Sequence, residues 1–170
     1  LVYNNDLYKY KICRLDDATK SDILTFIDDV PLQNGSIMCY ATEEALKEMS
    51  KQELPSDLTK VTLVSFTDGL DQGSVMKNQV YSSTGTYLNF LNEKVSCGKV
   101  QEVPINAYSI GVQGEDQTVH INSLNKLASS DSNVFSFRDY SNVSNALNEI
   151  ANSADVSVDV LNYNAYSLKI

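Results

Sequence analysis

Tryptophan is absent from the 170 residues, histidine occurs once, and cysteine and proline occur three times each. Cys13, Cys39 and Cys97 form no C-x-x-C pair, which excludes a cysteine zinc site and a thioredoxin-type redox site. They read as semi-buried thiols that behave as small apolar side chains. The lone histidine, His120, falls at the start of a helix pattern with no evident triad partner. None of G-x-G-x-x-G, G-x-x-x-x-G-K-[ST] or G-x-S-x-G occurs. Basic residues are few and scattered, 13 against 22 acidic ones for a net charge of -9. Phosphate contact needs clustered positive charge, so a nucleic-acid surface is excluded. No apolar run approaches the roughly 18 residues that cross a bilayer. The chain opens on a strand, Leu1-Val2-Tyr3, with no initiating Met and no signal peptide, which predicts a mature fragment or an excised domain.

What is present suits one globular domain: 42% hydrophobic and 21% charged residues on a chain long enough for a real core. Asn and Ser number 16 and 20, a bias that fits an extracellular, cell-surface or periplasmic protein. A second strand is expected from Tyr8 to Cys13, after an Asn4-Asn5-Asp6 turn. Thr19 or Ser21 then caps a helix with an apolar face of Ile23, Leu24, Phe26 and Ile27, ended by Pro31. The acidic group Asp16, Asp17, Asp22, Asp28 and Asp29 reads as its solvated face. Ile37 to Met49 returns to helical spacing.

The run Val61-Thr62-Leu63-Val64-Ser65-Phe66 reads as a strand buried on both faces of a parallel sheet, and Thr67-Asp68-Gly69 follows its carboxyl end. Asp71 to Gly85 is the longest loop expected. Beyond it come a helix through Tyr87 and Val95 ended by Gly98, and a strand from Ile105 to Val112. A helix over Val119 to Ala128, a strand Val134 to Phe137 and a last helix from Val143 to Ala151 complete the order. Helices alternating with strands predict an α/β fold, a doubly wound, mostly parallel sheet with helices on both faces. The domain spans 1–153, and 154–170 form an extension whose alternation, Asp155 to Val160, reads as one more strand, leading out of the domain or filling the sheet.

In open α/β sheets ligands bind beyond the carboxyl ends of the strands. Ser36, in the loop opening the second helix, and Asp68, after the most buried strand, bring a hydroxyl and a carboxylate to that edge. Such hard oxygen donors suit Mg²⁺, Mn²⁺ or Ca²⁺. The bland readings are a helix N-cap for Ser36 and a turn residue for Asp68.

Gly35-Ser36 before an Ala-containing helix, then Val-Ser-Phe-Thr-Asp-Gly, a strand ending Ile-Gly-Val, Leu124-Asn125-Lys126-Leu127-Ala128 and Val134-Phe135 together resemble the von Willebrand factor type A domain, over residues 1–153. The resemblance implies a metal-ion-dependent adhesion site built from three loops. Ser36 matches the second-loop hydroxyl and Asp68 the third-loop Asp. The first loop, Asp-x-Ser-x-Ser, has no match. Its nearest imitation, Asp16-Asp17-Ala18-Thr19-Lys20-Ser21, lies too close to the Ser36 helix. Leu1-Val2-Tyr3 then corresponds to the family's second strand, and its first strand and helix lie outside this sequence. The central position is left to an N-terminal segment, a strand of a second chain, or the tail from Val156 to Leu161 folded back, which would bring Asn162 and Asn164 to the first-loop position.

The function so implied is a non-enzymatic protein-binding or adhesion module, part of a larger surface or exported protein. A partner's acidic residue would complete the coordination of a divalent cation, with specificity in the loop from Asp71 to Gly85. A metal-free scaffold of the same fold is the alternative, and a hydrolase on a similar fold a further one.

Overall fold

A computed structural model of the chain describes residues 1–13, 15–113 and 121–155. The chain begins with a small antiparallel hairpin, β1 (Val2–Tyr3) and β2 (Leu7–Tyr8), turning through Asn4-Asn5-Asp6. The second strand stops at Tyr8 rather than continuing to Cys13. Lys9 instead reaches across to Glu44 and Glu48 at 2.8 and 2.9 Å, and no described strand pairs with residues 9–13.

Helix α1 (Asp17–Asp28) starts one turn earlier than Thr19 or Ser21 would allow, because Asp16 is the cap. Asp16 accepts from the Thr19 N–H at 2.8 Å, and Thr19 Oγ1 accepts from the Asp16 N–H at 2.8 Å. Asp16 is therefore a capping residue and not simply part of a solvated face. The predicted apolar face is present, yet α1 buries none of its residues; Leu24 and Ile27 are 55% and 46% exposed. Tyr10 packs on Phe26 with ring centroids 5.3 Å apart.

Helix α2 (Met38–Lys51) leads to β3 (Val61–Thr67). The expected loop after it contains a short helix, α3 (Ser74–Asn78), before α4 (Thr84–Ser96), which opens with a Ser83–Thr86 capping box. Gly98 lets the chain leave α4 tightly: a Cβ there would lie 1.6 Å from the Lys94 carbonyl oxygen. Strand β4 (Lys99–Val100) turns back as a hairpin onto the start of β5 (Val103–Val112). Helix α5 (Ile121–Leu127), β6 (Val134–Phe137) and α6 (Val143–Asp155) complete the order. Val119, His120 and residues 156–170, with Asn162 and Asn164, lie outside the described residues.

The three main strands are parallel. Central β5 pairs with β3 from Val61↔Ile105 to Thr67↔Gly111 and, across its other side, with β6 from Ser109↔Val134 to Val112↔Phe137. Residues in register share a face, so side chains sort cleanly. Leu63 and Ala107 point toward α2 and α4, where they pack with Val95, Ala45 and Met49. Tyr108 and Ile110 point the other way, under Ala146 and Ile150 of α6. A parallel sheet with helices on both faces is thus the architecture, as the element order predicts.

One expectation fails in detail. β3 is not buried on both faces: Leu63 is buried, but Val64 and Phe66 on the α6 face are 39% and 38% exposed. Among the described residues β3 pairs on one side only, and α6 lies over its neighbours rather than over it.

Candidate functional site

Loop 68–73 leaves the carboxyl end of β3 and meets loop 34–37. Gly35 has φ +105, and a Cβ there would stand 2.0 Å from Asn5 Oδ1, so the β1–β2 turn packs directly on this loop. Asn5 donates to the Asn34 carbonyl, Asn4 to the Pro31 carbonyl at 2.9 Å, and Lys77 to Asp6 at 2.7 Å. The Ser36 carbonyl accepts from the N–H groups of Gln72 and Gly73 at 2.9 and 3.0 Å. Three segments far apart in sequence are thereby stitched into one edge.

Asp71 is the organising residue. Helix α2 starts at Ile37 with no side-chain cap of its own. Its orphan donors are taken from the neighbouring loop: the Cys39 N–H by Asp71 Oδ2 at 2.7 Å, and the Tyr40 N–H by Ser74 Oγ at 2.8 Å. Asp71 also accepts from the Ser74 N–H at 3.1 Å and from the Ser74 hydroxyl. A carboxylate so placed meets the positive end of the helix dipole. Burial, with Asp71 beside it, pushes the Cys39 thiol well above its ordinary pKa, so this cysteine stays protonated and unreactive. Cys97 is exposed and Cys13 intermediate, so the three thiols do not share one semi-buried setting.

Tyr3 closes the edge from the other side. Its hydroxyl donates to the Phe66 carbonyl at 2.6 Å. Burial raises its pKa, a nearby hydrogen bond with Thr67 opposes this, and the charges of Asp68 and Asp71 raise it further.

The two residues expected to bind a cation stand differently. Ser36 is buried, it is not the helix cap, and its hydroxyl oxygen has no hydrogen-bond partner. Asp68 is exposed, and no described residue bonds its carboxylate. Among the described residues no group of three or more His, Cys, Asp and Glu side chains is placed to hold a metal ion. As they stand, these residues do not fit a closed cation site. Asp71, the carboxylate nearest the α2 terminus, already accepts three hydrogen bonds.

Sequence reasoning missed Asp71, Ser74 and Asn5. Asp71-x-x-Ser74 carries the spacing of a capping residue, a signal that was available; Asn5 on Gly35 is a tertiary contact with no local signature. Beside this edge, a groove of about 470 Å³ runs between the hairpin and α2, and its lysines, Lys9 and Lys77, are already paired with Glu44, Glu48 and Asp6. The segment beyond the edge exposes Leu70, Met76 and Val80, at 40%, 73% and 77%.

The class of protein defined so far is an α/β domain with a parallel sheet and a hydrogen-bonded carboxyl edge. No protein-family profile matches the chain, and no curated protein matches it by sequence. Among solved structures it is similar to proximal thread matrix protein 1 from the mussel byssus, with a zinc-occupied MIDAS motif. Identity is 20%, coverage 77% of this chain and 28% of that one, and the TM-score 0.48. A second crystal form of that protein gives 19% identity, 77% and 27% coverage and a TM-score of 0.47. A conserved hypothetical protein, BatB from Bacteroides thetaiotaomicron, gives 12% identity, 80% and 70% coverage and a TM-score of 0.41. The chain thus spans under a third of the mussel protein. No helix among the described residues is long and apolar enough to cross a membrane.

Proposed function

We propose that the chain is a metal-independent protein-binding module with a von Willebrand factor type A-like fold, serving in a larger surface or exported assembly and carrying no catalysis. The single observation that carries this reading is the pinned carboxyl edge. Asp71 spends its carboxylate on Cys39 and Ser74 rather than presenting it outward, so the edge is rigid without a cation. On that fixed base the segment after β3 shows Leu70, Met76 and Val80 to solvent. Apolar side chains on a braced loop are what a protein partner buries at an interface centre. The order of elements and the Thr67-Asp68-Gly69 turn at the end of β3 support the family reading.

The test is to isolate a partner on the immobilised chain in EDTA, identify it, and measure its affinity by calorimetry. Met76→Asp and Val80→Asp should each weaken binding at least about tenfold, with the fold intact by circular dichroism. Affinity that disappears in EDTA, or is indifferent to both substitutions, overturns the proposal.

A second reading has one observation in its favour, the orphaned hydroxyl of Ser36, since a buried unsatisfied oxygen invites a ligand. In that reading Ser36 and Asp68 help hold Mg²⁺, Mn²⁺ or Ca²⁺, and an acidic residue of the partner completes the shell. Mn²⁺ titration of the chain and of Asp68→Ala separates the two. Saturable heat that Asp68→Ala abolishes establishes the metal reading, and no heat in either leaves the metal-independent one.

A further inference from the structure

A five-residue helix does not hold its own shape, and α3 is no exception. It ends on Gln79 in the left-handed region, at φ +60, which a side chain other than glycine adopts only when its surroundings impose it. Met76 and Val80 both stand on this segment. What fixes it lies underneath, on α2 and α4.

Glu43 and Lys47 on α2 have the i,i+4 spacing of a surface ion pair, and their side chains meet at 2.9 Å. Yet the Glu43 side chain is only 12% exposed, because its other oxygen turns inward. That oxygen, Oε2, accepts from the hydroxyl of fully buried Tyr87 on α4. It also accepts from the Asn78 side-chain amide at 2.7 Å. The same amide donates to the Tyr87 hydroxyl oxygen at 3.1 Å, and Asn78 Oδ1 accepts from the Val80 N–H at 3.2 Å. Asn78 is thus held from below through its nitrogen and holds Val80 through its oxygen. Tyr81 continues the contact, stacking on Tyr87 with ring centroids 4.1 Å apart and packing on Phe90 at 5.3 Å. Burial, and the carboxylate beside it, raise the pKa of the Tyr87 phenol, so it stays a donor. A buried phenol hydroxyl needs an acceptor, and a charged acceptor makes the stronger bond.

We infer that Glu43 is a positioning residue for the proposed interface: through Asn78 and Tyr87 it fixes residues 76–81, so that Met76 and Val80 are presented preformed. The inference rests on the reading of this segment as the binding surface. It gives a carboxylate beneath that surface a share in affinity, because a segment that must be ordered on binding weakens the complex and a preorganised one does not. Lys47, 48% exposed and paired with Glu43 and Glu44, is the control for the ion pair alone.

The experiment uses the full chain, isotope-labelled, and the partner isolated on it in EDTA. Backbone order parameters of residues 76–81 are expected near about 0.85 in the unsubstituted protein and below about 0.6 in Glu43→Ala, with α4 unchanged. Affinity for that partner should fall at least about fivefold in Glu43→Ala. Glu43→Gln keeps an acceptor for Tyr87 and Asn78 and should restore both readouts, while Lys47→Ala moves neither. An ordered segment in Glu43→Ala overturns the inference. So does a loosened segment with unchanged affinity, or a Glu43→Gln protein that behaves like Glu43→Ala. Should Glu43→Ala disturb the fold at large, Asn78→Ala decides, since it leaves the Tyr87–Glu43 bond in place: the same two losses support the inference and their absence overturns it. Met76→Asp and Val80→Asp keep the two claims apart. Binding that they weaken but Glu43→Ala does not overturns the inference alone. Binding indifferent to them, or no partner at all, overturns the reading of the interface and the inference with it.

Discussion

Asp71 and Asp68 sit three residues apart and do opposite things. Asp71 joins the starts of α2 and α3, and its loss strands a buried helix-terminal N–H. Asp71→Ala should therefore destabilise the protein by about 2–4 kcal/mol in urea unfolding, while Asp68→Ala stays within about 0.5 kcal/mol. The reverse order would place the structural carboxylate at the wrong residue. Ser36→Ala removes an oxygen with no partner, so without a cation its cost should be near zero or slightly negative. The sequence pointed to Ser36 and Asp68 because a hydroxyl and an Asp-Gly turn at strand ends are visible in one dimension. It could not rank Asp68 against Asp71, because which carboxylate meets α2 depends on how the chain turns after Thr67. Lys9 supplies a pH prediction. Its ammonium hydrogen-bonds Glu44 and Glu48 and lowers both carboxyl pKa values below the ordinary 4.5. A depressed carboxylate adds stability above its unfolded pKa that is lost as pH falls through the folded one. Lys9→Met should flatten the loss of stability below about pH 4.5, measured by urea midpoints across pH.

Among the elements, α1 and α4 form a contrast. Both open with capping boxes and both are amphipathic, yet α4 buries Tyr87, Leu88, Leu91 and Val95 while α1 buries nothing. Amide exchange in α1 should be at least about a hundredfold faster than in α4, since opening it exposes little new apolar surface. Gly98 gives a sharper test at the end of α4. Gly98→Ala meets the Lys94 carbonyl and should cost more than about 2 kcal/mol, whereas at Gly85 an added Cβ meets only Ser83 Oγ at 3.8 Å, so Gly85→Ala should be neutral or stabilising. Helices α2, α4 and α6 and strands β3, β5 and β6 were all legible, because periodicity is a property of each segment alone. The false extension of β2 to Cys13 and the missed α3 have a common cause. Whether alternation becomes a strand depends on a neighbour offering hydrogen bonds, and a five-residue helix is too short to show a period. Burial was less legible still: the apolar face of α1 reads like that of α4, and the pattern does not say what lies across from it.

For the whole molecule, the sequence order foretold a parallel sheet with helices on both faces, and that is what folds. It also foretold an open position beside β3, and among the described residues that strand pairs on one side only. What the order could not convey is how the loops knit together. The carboxyl edge is held by Tyr3, Asn5, Ser36, Gln72, Gly73 and Asp71, through hydrogen bonds whose partners stand as far as 63 positions apart and leave no trace in local composition.

The ties at the two extremities of the described chain have a mechanical meaning. Tyr3 is fastened to the carboxyl end of β3 and Ser153 to the residue just before its amino end. A pull applied between these extremities is directed along the strand axis. Both anchors hold β3 itself, so the strand would carry that load as tension along its own backbone, and its hydrogen bonds to β5 would not be opened one after another like a zip. A force applied across the sheet meets the pairs of that ladder singly, whereas one between Tyr3 and Ser153 meets the covalent backbone of β3.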